Sequence, residues 1–341
     1  MGGVGACSGP AVAWGMRRTT FSPMHTEGLQ RRRRFSQVGR TIIGSGAALL
    51  LASSLAGCAA SGDVATATTG SIAPPGASAV PATSAPPTFT TQSVEIDGTT
   101  ISLSCAGAGP KTVVFISGLA EDGASAWGRS PVPAAAATEA RACIYDRPGL
   151  GASAEVSTPR TVTAHVAELA ALVDKGAISA PVVLVAQGYG TFIARQFAKD
   201  RVRSVAGLVL VDPPLNELHP TAPDGATAGQ QAELASIPDL NANLGAFGAG
   251  ALPPPPAPSI VLGAGPLPAL PTGPPAGAPA APPGTQARDP HYSEGQNQLA
   301  HKSPFGSFVL VDDAGTYIQY WKPQAVIDAV HKVLTDPRGG R

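Results

Sequence analysis

The sequence comes closest to a catalytic motif at a Gly-rich turn, between a predicted strand at 181–185 and a predicted helix at 189–199. A strand, a tight turn and a helix in this order form the context in which a G-x-S-x-G motif lifts a nucleophilic serine above a sheet. Ala186 replaces the first glycine of that pattern, Gly188 replaces the serine, and Gly190 is the last glycine. The sequence therefore predicts a turn that is shaped to present a nucleophile but carries none.

Three further segments lie around this turn in an order that is typical of one family. Residues 113–119 read as a buried strand followed by a Ser-Gly-Leu turn, and 205–212 read as a core strand that ends in an aspartate. Residues 143–153 contain a Tyr-Asp-x-x-Gly-x-Gly-x-Ser segment, which is the most specific of the three. Together they resemble the α/β-hydrolase lipoproteins of actinobacteria, over about residues 90–215 and 300–335.

This resemblance implies an α/β fold with a doubly wound, mostly parallel sheet, and the alternation of predicted strands and helices favours the same class. The family's helical cap is expected to be reduced, because residues 213–290 hold 19 of the 35 prolines. This Pro-rich region offers one helix candidate, 229–236, and one short strand, 259–262. We expect regular structure to return near Gln298, with a last strand at 307–311 and a final amphipathic helix after it.

The resemblance also indicates where the base and the acid of a Ser-acid-His triad would stand. Thr316 occupies the histidine slot, and a threonine does not take up a proton at neutral pH as an imidazole does. Asp212 is the candidate for the acid, although the favoured interpretation of an aspartate before Pro213-Pro214 is a structural turn residue. Gly188 in the nucleophile slot has no hydroxyl, and Thr316 has no imidazole. Two of the three triad positions therefore have no catalytic group.

The pocket frame of the family is still recognisable in the sequence. Backbone N–H groups are expected to point toward the turn at Gly188, called the elbow below, as the donors of an oxyanion hole do. They would come from Ser117, Gly118 and Leu119 and from Tyr189. Such a site without its nucleophile could bind a carbonyl or a carboxylate. The Tyr145-Asp146-Arg147 segment is expected to bridge neighbouring turns and to have no catalytic part.

No other set of residues is expected to replace the triad. The five histidines outside the leader are interpreted as surface residues: His165, His219, His291, His301 and His331. Their spacing indicates no metal site, and no Gly-rich phosphate loop opens a helix, so we expect neither a metal nor a cofactor.

The first 57 residues have the composition of an export leader. They contain seven arginines and one acid, and the run Arg31–Arg34 precedes an uncharged stretch at 41–57. A basic region before a short apolar region is typical of a signal peptide. Leu55-Ala56-Gly57-Cys58 resembles a bacterial lipobox, in which Cys58 would carry the lipid; the alternative is a plain signal peptide with a chance cysteine. We expect the protein to be anchored to the outer face of the cytoplasmic membrane.

The remaining chain is divided into a tether and a domain. Residues 58–88 are Ala, Ser, Thr and Pro in large part and are expected to form a flexible tether. Residues 89–341 are expected to form the α/β-hydrolase-like domain, with a low-complexity insertion at about 213–297. Everything after the leader retains 16 of the 23 basic and 22 of the 23 acidic residues, a formal charge of −6. That charge speaks against a nucleic-acid partner.

Two cysteines, Cys105 and Cys143, fall on strands that lie side by side in the resembling fold. An exported protein could oxidise them to a disulfide, whereas two small buried thiols would behave as hydrophobic residues. Both alternatives remain open at the level of sequence.

Two functions from different classes are compatible with these residues. The first is an exported, non-catalytic α/β-hydrolase homologue that binds a small molecule or a partner protein. The second is an active serine-type ester hydrolase that uses residues outside the motif. The replaced slots at Gly188 and Thr316 favour the first.

The lipobox makes a prediction about membrane association. A single acyl chain holds a protein at a membrane only marginally, whereas two chains anchor it stably. Replacing Cys58 by Ala should therefore shift the protein from the membrane fraction to the soluble or unprocessed pool. Replacing Cys7 by Ala, within the leader, serves as the control and should leave the fractionation unchanged. Full membrane retention of the Cys58→Ala variant would contradict the lipobox assignment.

Overall fold

A computed structural model describes three stretches of the chain, 86–247, 257–265 and 290–339. The predictions for the leader, for Cys58, for most of the tether and for most of the Pro-rich region at 250–290 lie outside these stretches. Among the described residues, no helix has both the length and the apolar character that crossing a bilayer requires.

Eight strands form one sheet in the described part of the chain. They are β1 (Thr90–Ile96), β2 (Thr99–Ala106), β3 (Thr112–Ile116), β4 (Arg141–Tyr145), β5 (Val182–Gln187), β6 (Val205–Val211), β7 (Ser259–Ala264) and β8 (Gly306–Val311). Their order is β1-β2-β4-β3-β5-β6-β7-β8, and only the pairs β1–β2 and β2–β4 are antiparallel. The predicted fold class, a mostly parallel sheet flanked by helices, is confirmed.

The helices alternate with these strands along the chain. They are α1 (Val132–Glu139), α2 (Val162–Asp174), α3 (Gly190–Asp200), α4 (Ala228–Leu234), α5 (Ile237–Ala242), α6 (Leu244–Phe247), α7 (Pro290–Ala300), α8 (Ile318–Trp321) and α9 (Pro323–Thr335). The described residues also contain two shorter helical segments, a π-helix at Ala124–Gly128 and a 3₁₀ turn at Val202–Ser204.

The central strands are buried on both faces because helices cover each side of the sheet. Alternate side chains of β3 and β5 pack with α2 and α3 on one face, and the intervening ones pack with α1 and α9 on the other. The first set includes Val114, Ile116, Leu184 and Ala186, and the second includes Val113, Phe115, Val183 and Val185. This period of two follows from strand geometry. It determines which side chains of each strand contact which helix layer.

The region expected to be nearly irregular contains more helix than its sequence indicated. One helix was expected at 229–236, but α4, α5 and α6 follow one another between Ala228 and Phe247. Local signals explain the difference. Thr227 and Gln230 form a capping box at the start of α4, and Pro238 stands in the first turn of α5, where a proline is tolerated. Regular structure also returns earlier than Gln298, with α7 beginning at Pro290.

A disulfide joins the two strands that meet at the antiparallel edge. Cys105 of β2 and Cys143 of β4 are directly opposite each other in the strand register, with their sulfurs 2.15 Å apart. Of the two alternatives left open by the sequence, the structure contains the bonded pair. This bond links the N-terminal hairpin of β1 and β2 to the parallel core.

The disulfide should contribute measurably to stability. Its cysteines are separated by 38 positions, and cross-links of this kind typically stabilise a fold by about 2–4 kcal/mol. Chemical denaturation of the oxidised protein should therefore show a higher free energy of unfolding than the Cys105→Ser/Cys143→Ser variant. Adding reductant should lower the stability of the native protein and leave that variant unaffected. Equal stability of the oxidised and reduced native protein would count against the bond.

Candidate functional site

The turn between β5 and α3 keeps the conformation of a nucleophile elbow. Gly188 has φ +52°, in the left-handed region that a residue with a side chain enters only under strain. Its N–H donates to the carbonyl of Val211 at 3.0 Å, and its carbonyl accepts from Thr191 N and Oγ1. A Cβ built on Gly188 would meet no atom within 4 Å. The elbow therefore opens onto free space at the position where a nucleophile would stand.

The last glycine of the motif is retained for a packing reason. A Cβ on Gly190 would lie 2.6 Å from the carbonyl oxygen of Ser117 and 3.0 Å from that of Ile116. The start of α3 must therefore approach the end of β3 more closely than any side chain permits. This close packing does not depend on catalysis. It explains why position 190 is a glycine although position 188 carries no serine.

The acid and histidine slots of the expected triad lie side by side. Thr316 Oγ1 donates to Asp212 Oδ2 at 2.5 Å, and Gln296 Nε2 donates to the other carboxylate oxygen at 3.1 Å. Asp212 is buried, has φ +51° and directly precedes Pro213, so it also fulfils the turn role. The pair has the layout of an acid and its partner. The pair cannot activate a nucleophile, because a threonine hydroxyl does not accept a proton at neutral pH.

A carboxyl group that the sequence did not single out lies in the crevice above Gly188. Glu121 follows β3, and its Oε1 accepts a hydrogen bond from the hydroxyl of Tyr317. Burial raises the pKa of Glu121 to about 7, against the opposing effects of Tyr317, Arg147 and the backbone N–H of Gly118. Carboxyl groups with pKa values displaced toward neutrality are concentrated at functional sites. The signal available in the sequence was an acid near the carboxyl end of a central strand.

Two buried acceptor oxygens border one point beside the elbow. A Cβ built on Gly118 would lie 2.3 Å from Gln187 Oε1 and 2.6 Å from Glu121 Oε2. Neither oxygen has a hydrogen-bond partner among the described residues. The space beside Gly118 is therefore filled by these two buried oxygens, and only a residue without a side chain fits at position 118.

A buried arginine positions the loop that carries these groups. Arg147 is fully buried and donates to the carbonyls of Ser117 and Gly118 at 2.8 and 2.6 Å. Its guanidinium also forms a two-point ion pair with Glu233 of α4, at 2.7 and 2.9 Å. Asp146 next to it accepts from two backbone N–H groups of nearby turns, those of Gly123 and Ala152. These contacts are structural, as expected for this segment.

The expectation of a surface position for His165 is wrong. Its ring is buried between two carboxylates, with Nδ1 3.0 Å from Glu168 and Nε2 3.1 Å from Glu233. Burial lowers the pKa of this imidazole, so the neutral form is favoured. The helical period explains the error, since position 165 falls on the same face as the buried Val162 and Leu169. Both ring nitrogens face carboxylates of this network.

The other four histidines lie on the surface, as expected. Each is near a carboxylate or a backbone carbonyl: His219 near Glu217, His291 near Glu294, His301 near the carbonyl of Asn297, and His331 near Glu139. In the described stretches, no group of three or more His, Cys, Asp or Glu side chains is placed to hold a metal ion.

Comparison with known proteins finds two relatives that are similar to part of this chain. A protein of Schizosaccharomyces pombe is 35% identical over 74 residues, which are 22% of this chain and 14% of that protein. The YqjL protein of Bacillus subtilis is 31% identical over 111 residues, 33% of this chain and 43% of that protein. The chain thus matches less than half the length of either relative.

Solved structures and a family profile extend the match to most of the domain. The crystal structure of Cfl2 from Burkholderia cenocepacia superposes with a TM-score of 0.54 at 18% identity, covering 72% of this chain and 95% of that one. An identity this low concerns the fold alone. The profile of the alpha/beta hydrolase family matches residues 113–329, which is more than half of the chain. This protein belongs to the α/β-hydrolase family.

Proposed function

We propose that this protein is an exported, lipid-anchored member of the α/β-hydrolase family that binds a small molecule or a partner in the crevice at Gly188. Binding there would proceed without the covalent chemistry of the family. The observation that carries the proposal is the elbow itself. Gly188 retains the left-handed backbone and the open space of a nucleophile site, yet it has no side chain to attack a substrate.

The neighbouring slots support the same conclusion. A serine nucleophile needs a base within hydrogen-bond reach and a carboxylate that orients the base. Here Asp212 holds a threonine hydroxyl in place of an imidazole, and the buried His165 is flanked by Glu168 and Glu233. What remains is a frame of backbone and acceptor groups, which suits binding.

The leader sequence supports the proposal that the protein is exported and anchored to the membrane. The basic run, the short apolar stretch and the lipobox cysteine Cys58 together resemble an exported lipoprotein of actinobacteria. A polar tether after Cys58 would hold the domain away from the membrane surface, where it could meet a ligand or a partner.

One observation favours a second candidate function, an active ester hydrolase that uses residues outside the motif. Glu121 has a pKa of about 7 and one unpaired carboxylate oxygen. A carboxylate with such a pKa is suited to general-base catalysis near neutral pH, because it can take a proton from an attacking water. This route would need no nucleophile at Gly188.

The elbow can be tested by restoring the missing groups. The unmodified full-length protein should not react with a fluorophosphonate probe and should not hydrolyse short activated esters above a buffer blank. Gly188→Ser alone should add little, because Thr316 supplies no base. Gly188→Ser with Thr316→His should exceed the single variant by on the order of 100-fold, since a positioned base contributes on that scale and triad members act as a unit.

Matched variants separate chemistry from backbone strain. Gly188→Ala places the same Cβ at φ +52° without a hydroxyl, so thermal unfolding of the Ala and Ser variants should agree. Ester turnover by the unmodified protein that persists in Gly188→Ala and disappears in Glu121→Gln would replace the binding proposal with the second candidate.

A further inference from the structure

We infer that strand β8 pairs with β8 of a second copy of this chain, so that the two sheets join across a two-fold axis. The surface that carries this inference is one end of the eight-stranded sheet, where β8 pairs only with β7 among the described residues. The inference goes beyond the binding function proposed for the crevice at Gly188 and does not depend on it.

The first support is the apolar character of this edge. The exposed large apolar residues in the described part of the chain are Val202, Val309 and Leu310, and the last two are neighbours on β8, each 43% exposed. Successive side chains of a strand point to opposite faces, so these two flank the edge of the sheet on both sides. The strand has no charge, proline or bulge, which are the features that natural sheets use to prevent pairing at an edge.

The opposite edge of the same sheet has a different composition. Strand β1 reads Thr-Thr-Gln-Ser-Val-Glu-Ile, and all of its exposed side chains are polar or charged. An edge of this kind is compatible with water and needs no cover. The apolar side chains of β8 are therefore specific to that edge, and they are not a general property of the sheet.

The second support is the direction of the backbone groups of β8. The carbonyl of Phe305 accepts from Ser259 N at 3.2 Å, and the carbonyl of Val311 accepts from Gly265 N at 2.9 Å. In a parallel ladder every second residue bonds to the same neighbouring strand, so the odd-numbered residues from 305 to 311 bond to β7. The N–H and C=O groups of the residues between them point away from β7. A further strand would find its hydrogen-bonding partners there.

The third support is charge complementarity, which favours a second copy as the occupant. The exposed residues His301 and Lys302 lie shortly before β8, and the exposed residues Asp312 and Asp313 follow it directly. In an antiparallel pair centred on residue 308, the basic turn before one strand lies beside the acidic turn after the other. Both ends of the pair then bring opposite charges together, whereas a parallel pair would place like charges side by side.

The Pro-rich stretch at 266–289 of the same chain is a poor alternative occupant. It contains eight prolines in 24 residues, and a proline donates no N–H to a strand ladder. A second β8 has no proline, so each of its outward-facing residues offers both a donor and an acceptor. The sequence therefore favours the second copy over this stretch.

The test is sedimentation velocity on the full-length protein in a mild detergent, over a range of protein concentrations. We expect reversible dimers with a micromolar dissociation constant, because one strand pair covers less than the roughly 1,200–2,000 Å² of a stable interface. Val309→Lys should weaken dimerisation about tenfold, since the lysine charge would have to leave water within the interface. The matched control is Val202→Lys, which changes a residue that is 44% exposed on the 3₁₀ turn before β6 and should leave dimerisation unchanged.

An exchange of charges tests the antiparallel register. Lys302→Glu places like charges at both ends of the pair and should weaken dimerisation about fivefold, because two exposed contacts become repulsive at once. Adding Asp312→Lys should recover the lost affinity, since the two ends again carry opposite charges. Asp313 is left unchanged because its φ is +54°, a region in which Asn and Asp are enriched among the residues with side chains. Both changed residues are exposed and lie outside the strand, so this exchange is decisive even if Val309→Lys does not fold.

Three outcomes would overturn the inference. The first is a monomer at all concentrations, and the second is a dimer that neither Val309→Lys nor Lys302→Glu weakens. The third is a monomer that dimerises only after the stretch at 266–289 is shortened, because this stretch would then be the occupant of the edge. None of these results concerns the crevice at Gly188, so the proposed binding function is tested separately.

Discussion

The buried guanidinium of Arg147 is the interaction on which the crevice depends. It is fully enclosed, and it holds the backbone carbonyls of Ser117 and Gly118 and the carboxylate of Glu233 at the same time. The loop after β3 is thereby fixed to helix α4, and the backbone N–H of Ala120 adds a further bond to Glu233. Removing either partner of such a buried pair leaves an uncompensated charge, at a cost of about 3–5 kcal/mol. The placement of Gly118 and of the residues that follow it is therefore set by a charge pair that takes no part in chemistry.

An elbow without a nucleophile persists because its geometry also serves the fold. Gly190 allows α3 to approach the end of β3, and the N–H of Gly188 is bonded to the carbonyl of Val211 on the neighbouring strand β6. Neither contact involves the side chain that catalysis would need. The conformation of this turn therefore does not depend on a nucleophilic side chain at position 188.

The sequence predicted the elements whose signal is local, and it missed the features that arise from tertiary packing. Short apolar runs and the strand–turn–helix pattern were sufficient for the parallel sheet and the elbow. The burial of His165 follows from its helical face together with carboxylates 3 and 68 positions away, and the more distant partner, Glu233, lies on the helix expected at 229–236, whose packing against α2 the sequence did not indicate. Glu121 resembled an ordinary loop acid, because its importance comes from the hydroxyl of Tyr317 nearly 200 positions later. The periodicity of the sequence does not predict contacts between residues so far apart in the chain.

The proposal of a non-catalytic site concerns the surroundings of the elbow as well as the nucleophile position. An acyl-transfer site collects donors around a developing negative charge, and those donors act strongly because water is excluded. In this protein Glu121 Oε2 and Gln187 Oε1 are buried beside the elbow, 2.6 and 2.3 Å from the position that a Cβ on Gly118 would take. Restoring a serine at Gly188 would place a hydroxyl on a turn that already has the left-handed conformation of a nucleophile elbow, but its activity would depend on a base at position 316. Position 188 is a glycine and position 316 a threonine, so restoring the nucleophile alone would leave the role of the base unfilled.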